Sequence, residues 1–132
     1  MDLSIIVPVF NEENSIKILA QEIQKILSDY KYEIIFIDDG STDNSWDQIA
    51  SLTHNPNIKA LAFRRNIGKS AALDVGFQHA VGKVVVTMDS DLQDDPKEIP
   101  ELFNMITQQQ YDLVSGWKKK RLDPLSKTIP TK

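Results

Sequence analysis

Short, mainly apolar segments with the length of strands recur along the chain at Leu3 to Val9, Tyr32 to Ile37, Ile58 to Phe63, Val84 to Thr87 and Tyr111 to Gly116. Leu3 to Val9, Tyr32 to Ile37 and Val84 to Thr87 are rich in Ile and Val, the composition of strands buried on both faces of a parallel sheet. Between them the pattern changes to helical spacing. Ile16, Leu19, Ile23, Ile26 and Leu27 predict an amphipathic helix reaching about Ser28. Trp46, Ile49 and Ala50 supply the inner face of a short second helix, which His54-Asn55-Pro56-Asn57 ends. A third helix, capped by Ser70, turns Ala72, Leu73, Gly76 and Phe77 inward, and its small residues imply close packing on the sheet. The fourth, about Lys97 to Gln109, buries Ile99, Leu102, Phe103 and Ile106. It starts at Asp95-Pro96-Lys97-Glu98, which has capping-box spacing and Pro at the first helical position. Strand and helix alternate throughout, which predicts parallel strands with right-handed crossovers. The fold class is therefore α/β, a doubly wound, mainly parallel sheet with helices on both faces.

Composition adds limits. A chain of 132 residues is one domain with room for a real core. A net charge of −4 argues against a general nucleic-acid binder. With no Cys there is neither a disulfide framework nor a Cys-ligated zinc site, which fits a reducing compartment. No secretory leader pattern opens the chain, and no apolar run approaches the roughly 20 residues that cross a bilayer.

In a doubly wound sheet, ligands bind beyond the carboxyl ends of the strands. Asn11-Glu12, Asp38-Asp39, Arg64 to Lys69 and Asp89 to Asp94 each follow a strand directly. Asp89 and Asp91 are one residue apart, so both carboxylates can point the same way. Left unpaired, such charges repel by about 3 kcal/mol at roughly 5 Å and an effective dielectric near 20. A divalent cation removes that cost, and hard oxygen ligands suit Mg²⁺ or Mn²⁺. Taken alone, Asp-x-Asp fits a cation site and a solvated acidic loop equally well, but four clusters on one edge make a site. Arg64, Arg65 and Lys69 add positive charge there, and Gly68 permits close backbone approach. One of the two arginines fits a solvated surface position equally well. A phosphate-bearing ligand with a divalent metal matches this mixture. Neither Gly-x-x-x-x-Gly-Lys-[Ser/Thr] nor Gly-x-Gly-x-x-Gly is present after the first strand. Paired acids also mark receiver-type phosphoacceptor pockets, but there they follow the first strand, and here they follow the second.

Four ordered motifs then carry a resemblance: Val7-Pro8-Val9-Phe10-Asn11-Glu12-Glu13, Asp38-Asp39-Gly40-Ser41-Thr42-Asp43, Arg65-Asn66-Ile67-Gly68-Lys69, and Met88-Asp89-Ser90-Asp91-Leu92-Gln93-Asp94-Asp95-Pro96. Together the chain resembles a family 2 glycosyltransferase with the GT-A fold, closest to the polyprenyl-phosphate branch typified by dolichol-phosphate mannose synthases. Asp-Leu-Gln-Asp-Asp-Pro and the basic segment Gly116 to Arg121 favour that branch over relatives with hydroxyl acceptors.

The resemblance implies inverting transfer of a hexose from a UDP- or GDP-linked sugar to a polyprenyl phosphate. It implies that Pro8, Asn11 and Glu12 line the nucleotide pocket, and that Asp39 meets the base or ribose with Asp38 beside it. Arg65 and Lys69 flank the nucleotide and diphosphate. Asp89, Asp91 and Gln93 hold Mg²⁺ or Mn²⁺, and Asp89 is also a candidate to touch the sugar. Arg121, with Lys127 as a further candidate, meets the acceptor phosphate. The competing readings are a nucleotidyltransferase, a hydroxyl-acceptor transferase and a non-catalytic nucleotide-binding fragment. The first of these expects a Gly-rich basic loop where Pro8 to Glu13 has neither Gly nor a base.

Relatives of this kind are longer, so the chain reads as the N-terminal part of a catalytic domain with its membrane anchor elsewhere. The expected location is cytoplasmic, peripheral to the membrane, with self-association through a trimmed sheet edge. Residues 117 to 132 form the acceptor- or membrane-facing segment in this reading. Leu122, Leu125 and Ile129 fall at i, i+3 and i+7 beside Trp117 and a run of cations. That pattern fits a membrane interface, and equally an ordinary basic surface helix or a tail. His54 and His79 read as surface or packing residues and Trp46 as core.

Overall fold

The computed structural model describes residues 1–109, 111–115 and 128–130. Its elements alternate as β1 (Leu3–Val9), α1 (Ile16–Ile26), β2 (Tyr32–Asp38), α2 (Ser45–Leu52), β3 (Ile58–Ala62), α3 (Lys69–His79), β4 (Val84–Thr87), α4 (Ile99–Gln109), β5 (Tyr111–Ser115) and β6 (Thr128–Pro130). A single sheet has the order β3-β2-β1-β4-β5-β6. The first five strands are parallel, and β6 pairs antiparallel with β5, setting Leu113 against Ile129. Ile129 is thus a strand residue and not part of a helical i, i+3, i+7 stripe.

The period of two along each strand divides the core. Leu3, Ile5, Val7 and Val9 of β1 and Ile34 and Phe36 of β2 pack with Ile16, Leu19 and Ile23 of α1, Ile49 of α2 and Leu102 of α4. Ile6, Ile35 and Ile37 face the other way, onto Ala72 of α3. Three helices cover one face and α3 the other. A Cβ on Gly76 would sit 2.5 Å from Ile6 Cγ2, so the glycine lets α3 lie close against β1.

Several packing expectations change. Trp46 is exposed, as is Ala50, because two turns of α2 bury only the stripe of Ser45 and Ile49. Phe77 is exposed as well. With about 100° per residue it lies well round from the contact line of Ala72 and Gly76. That helix begins one residue before Ser70, at Lys69 after Gly68. Val85 and Thr87 are only half-buried, because α3 packs over β1 and β2 and leaves that side of β4 less covered. At the start of α4 the expected cap is present: the Asp95 carboxylate accepts the Lys97 N–H at 3.1 Å, with Pro96 at the first position of a short 3₁₀ turn.

One buried acid ties the amino ends of the strands together. Glu33 is 1% exposed and pairs with Lys59 Nζ at 2.6 Å. Its other oxygen accepts the Ser4 hydroxyl at 2.5 Å and the Val81 N–H at 2.8 Å, while Ser4 Oγ accepts the Gly82 N–H. Burial raises the carboxyl pKa, but Lys59, Ser4 and Val81 outweigh it and hold it below its ordinary value of 4.5. The unfolded chain therefore binds this proton more readily. The stabilisation is complete above the ordinary value and fades as pH falls through the lower folded one. Glu33→Gln is expected to cost about 2 kcal/mol near neutral pH. Urea unfolding should show that gap narrowing in acid; a gap independent of pH contradicts the assignment.

Candidate functional site

The strand order reverses between β1 and β4. β1, β2 and β3 run outward to one side, and α3 carries the chain back across to β4 on the other side of β1. At such a switch point the loops following the two neighbouring strands diverge and leave a crevice. A cleft of about 280 Å³ lies there, lined by Pro8, Val9, Phe10, Glu12, Asp39, Lys69, Asp89, Ser90 and Asp91. All four polar clusters of the sequence contribute to it.

Hydrogen bonds between loops hold its walls. Asn11 adopts a left-handed conformation, φ 52°, which asparagine tolerates better than most residues. Its Oδ1 accepts the Thr42 N–H at 2.8 Å, and its own N–H donates to Ser41 Oγ at 2.9 Å. The Glu12 N–H donates to Ser45 Oγ and the Asn44 N–H to Glu13 Oε2, each at 2.9 Å. Asp43 accepts the Ser45 N–H at 2.8 Å and the Glu13 N–H at 3.3 Å. Desolvation raises the Asp43 pKa, but the donors from Ser45 and Glu13 together bring it below its ordinary value. The loops after β1 and β2 therefore form one braced wall.

Asp39 builds the second wall. One carboxylate oxygen accepts the N–H groups of Ile67 at 2.8 Å and Gly68 at 3.2 Å. The other accepts Asn66 Nδ2 and the Gly68 N–H, each at 3.1 Å. Gly40, next along, has φ +70°, and a Cβ there would run into the backbone of Arg65 and Asn66. Asp39 thus lines the cleft while shaping the Asn66–Gly68 loop.

The third wall is the acidic turn after β4. Leu92 is left-handed, φ 66°, and Asp91 Oδ1 accepts the Gln93 N–H at 3.1 Å. Ser15 Oγ donates to the Ser90 carbonyl at 2.5 Å, fastening the turn to the start of α1. Buried Asp94 accepts the Asp89 N–H at 2.7 Å. Lys69 Nζ lies 2.6 Å from Asp89 Oδ1.

Of the residues expected at the site, Pro8, Glu12, Asp39, Lys69, Asp89 and Asp91 line the cleft together. Asn11 braces its rim. Asp38 is buried at the end of β2, and one of its carboxylate oxygens has no hydrogen-bond partner among the described residues. Arg65 and Gln93 are exposed and do not line the cleft. Arg121 and Lys127 lie outside the described residues. Sequence reasoning missed Phe10, an aromatic on the cleft wall that is 45% exposed, and Asp94, which secures Asp89 from behind. An aromatic directly past a strand end was the available signal for Phe10; Asp94 was one acid among several.

The doubly wound sheet with an acid-lined cleft at its switch point is an α/β domain whose structural neighbours are glycosyltransferases of the GT-A fold. The sequence pattern of glycosyl transferase family 2 matches residues 4–131, and the chain belongs to that family. It is 36% identical over 129 residues to dodecaprenyl-phosphate galacturonate synthase of Rhizobium johnstonii, covering 95% of this chain and 38% of that protein. It is 38% identical over 138 residues to undecaprenyl-phosphate 4-deoxy-4-formamido-L-arabinose transferase of Pectobacterium carotovorum, covering 99% and 41%. The chain thus spans about two-fifths of the length of these relatives. Among solved structures, S. aureus TarS 1-349 in complex with UDP-GlcNAc superposes with a TM-score of 0.70 at 28% identity, covering 94% of this chain and 37% of that one. The mannosyltransferase PcManGT from Pyrobaculum calidifontis, solved with GDP-Man and Mn²⁺, shares the fold with a TM-score of 0.67 at 24% identity, covering 85% and 33%.

Proposed function

We propose that this chain forms the donor-binding part of a transferase that moves a sugar from a nucleotide diphosphate to a polyprenyl phosphate at a membrane surface. One observation carries the donor half of this reading. Among the described residues, four carboxylates and one ammonium line the switch-point cleft, so an anionic diphosphate entering it draws on positive charge beyond that ammonium. Asp89 and Asp91 offer hard oxygen donors in the pattern that suits Mg²⁺ or Mn²⁺. No group of three His, Cys, Asp or Glu among the described residues forms a ready metal cage. That fits an ion held by one or two carboxylates and completed by substrate phosphates. When bound, such an ion supplies Lewis-acid stabilisation of the charge that develops on the leaving diphosphate.

The chain's own residues do the rest. Glu12, Asp39 and Phe10 line the cleft, and their carboxylate acceptors and aromatic side chain suit a ribose and a base. The braced loops hold these groups in place before the ligand arrives, which limits the ordering cost of binding. A lipid phosphate is ionised near neutral pH and attacks without a general base, whereas a hydroxyl acceptor needs one. The acceptor half of the reading rests on the two polyprenyl-phosphate relatives. No helix among the described residues is long and apolar enough to cross a membrane.

Calorimetry with UDP and GDP, each with and without Mn²⁺, tests the donor site. One nucleotide should bind, and only with the metal. Failure of both with metal present contradicts the donor reading. Transfer of labelled sugar to undecaprenyl phosphate, compared with a hydroxyl acceptor, tests the acceptor; exclusive use of the hydroxyl rejects the lipid.

A further inference from the structure

The cation on the cleft wall sits on one of the acids expected to hold the metal. Lys69 is the first residue of α3, and its ammonium lies 2.6 Å from Asp89 Oδ1. The lysine side chain is 60% exposed, so it can swing away without disturbing the core, whereas Asp89 is 18% exposed and its N–H is held by Asp94. The other lining carboxylates carry no ion pair with a described residue: Asp39 spends its oxygens on N–H donors of the Asn66–Gly68 loop, and Asp91 accepts the Gln93 N–H.

From this arrangement, and resting on the donor reading above, we propose that Lys69 is an exchangeable counter-ion. In the free protein it neutralises Asp89 and opposes capture of a divalent cation without nucleotide. When diphosphate and metal arrive together, the ammonium transfers to a phosphate oxygen and releases Asp89 to the metal. The physical reason is competition for one carboxylate. A divalent ion beside an ammonium already in contact with that carboxylate is repelled strongly at such distances, and the diphosphate removes the repulsion by giving the lysine a better partner. Metal and nucleotide then bind with positive coupling, and linkage makes the effect reciprocal. A surface ion pair is weak enough to exchange readily.

Titrations of Mn²⁺, following the electron paramagnetic resonance signal of the free ion, test this on the wild type, Lys69→Gln and Lys69→Arg. Each is titrated alone, with UDP and with GDP. The wild type should bind Mn²⁺ weakly alone and about tenfold or more tightly with its nucleotide. Lys69→Gln should bind Mn²⁺ alone about tenfold more tightly than the wild type, and its enhancement by nucleotide should shrink. Lys69→Arg keeps the charge and should keep the wild-type weakness toward metal alone. Equal affinity of wild type and Lys69→Gln for Mn²⁺ alone, with nucleotide enhancement intact, overturns the exchange while leaving the donor site standing. Absence of Mn²⁺ binding in every protein with either nucleotide overturns the donor reading and the exchange together.

Discussion

Asp91→Ala is expected to reduce metal-dependent nucleotide binding by about a hundredfold or more, the scale on which a lost ligand or charge-stabilising group acts. Asp91 is exposed, and its described hydrogen bond is to the Gln93 N–H within its own turn. Its removal should therefore change folding stability by no more than about 0.5 kcal/mol. Asp91→Asn separates charge from shape. An amide oxygen can still accept the Gln93 N–H and keep the turn, but it no longer offers a carboxylate to a cation. Both variants should lose the metal-dependent part of nucleotide affinity in calorimetry, with unchanged thermal unfolding. Retention of metal dependence by Asp91→Asn would remove Asp91 from the metal site. Loss of affinity in Asp91→Ala alone would point to the turn, not the charge.

Gly40→Ala should be the most damaging small substitution near the cleft. At φ +70° a side chain is strained in any surroundings, and here the added Cβ would lie 2.1 Å from the Arg65 carbonyl carbon and 2.4 Å from the Asn66 nitrogen. These are backbone atoms, so no side chain can turn away to relieve the clash. The loops after β2 and β3 must separate, taking the Asp39 hydrogen bonds to Ile67 and Gly68 with them. A loss of about 3 kcal/mol is expected, along with weaker nucleotide binding. Gly68→Ala is the comparison. At φ +132° it is also strained, but a Cβ there meets nothing within 4 Å. Its cost should stay near that of backbone strain alone, about 1–2 kcal/mol. Equal denaturation midpoints for the two variants would show that the contact with Arg65 and Asn66 does not limit stability.

Most of the architecture was legible because its signals are local. Continuous runs such as Ile34 to Ile37 can be satisfied only by burial on both faces, and the spacing of Ile16, Leu19 and Ile23 marks one side of a helix. Their alternation dictates parallel strands, and the polar clusters following those strands necessarily share an edge. Burial at the margins was less legible. Trp46 is a large apolar residue on a helix, but whether it is covered depends on how far neighbouring elements extend over a two-turn segment. Phe77 is exposed because α3 contacts the sheet along Ala72 and Gly76, a line set by a close approach that no single residue announces.

The sequence by itself determined the alternation of strands and helices, the cap at Asp95-Pro96, and the chemistry available at one sheet edge, since each depends on residues a few positions apart. Only the tertiary structure decided which of those groups meet. It ordered the strands so that the β1 and β4 loops diverge, leaving Asp89 and Asp91 on a cleft wall and Gln93 outside it. It turned both oxygens of Asp39 toward the Asn66 side-chain amide and the Ile67 and Gly68 backbone N–H groups, 27 to 29 residues away, and brought Lys69 onto Asp89 across 20 residues. The reason is physical: hydrogen bonds and ion pairs reach only about 3–4 Å. Partners distant in sequence meet only after the sheet and its crossovers have folded.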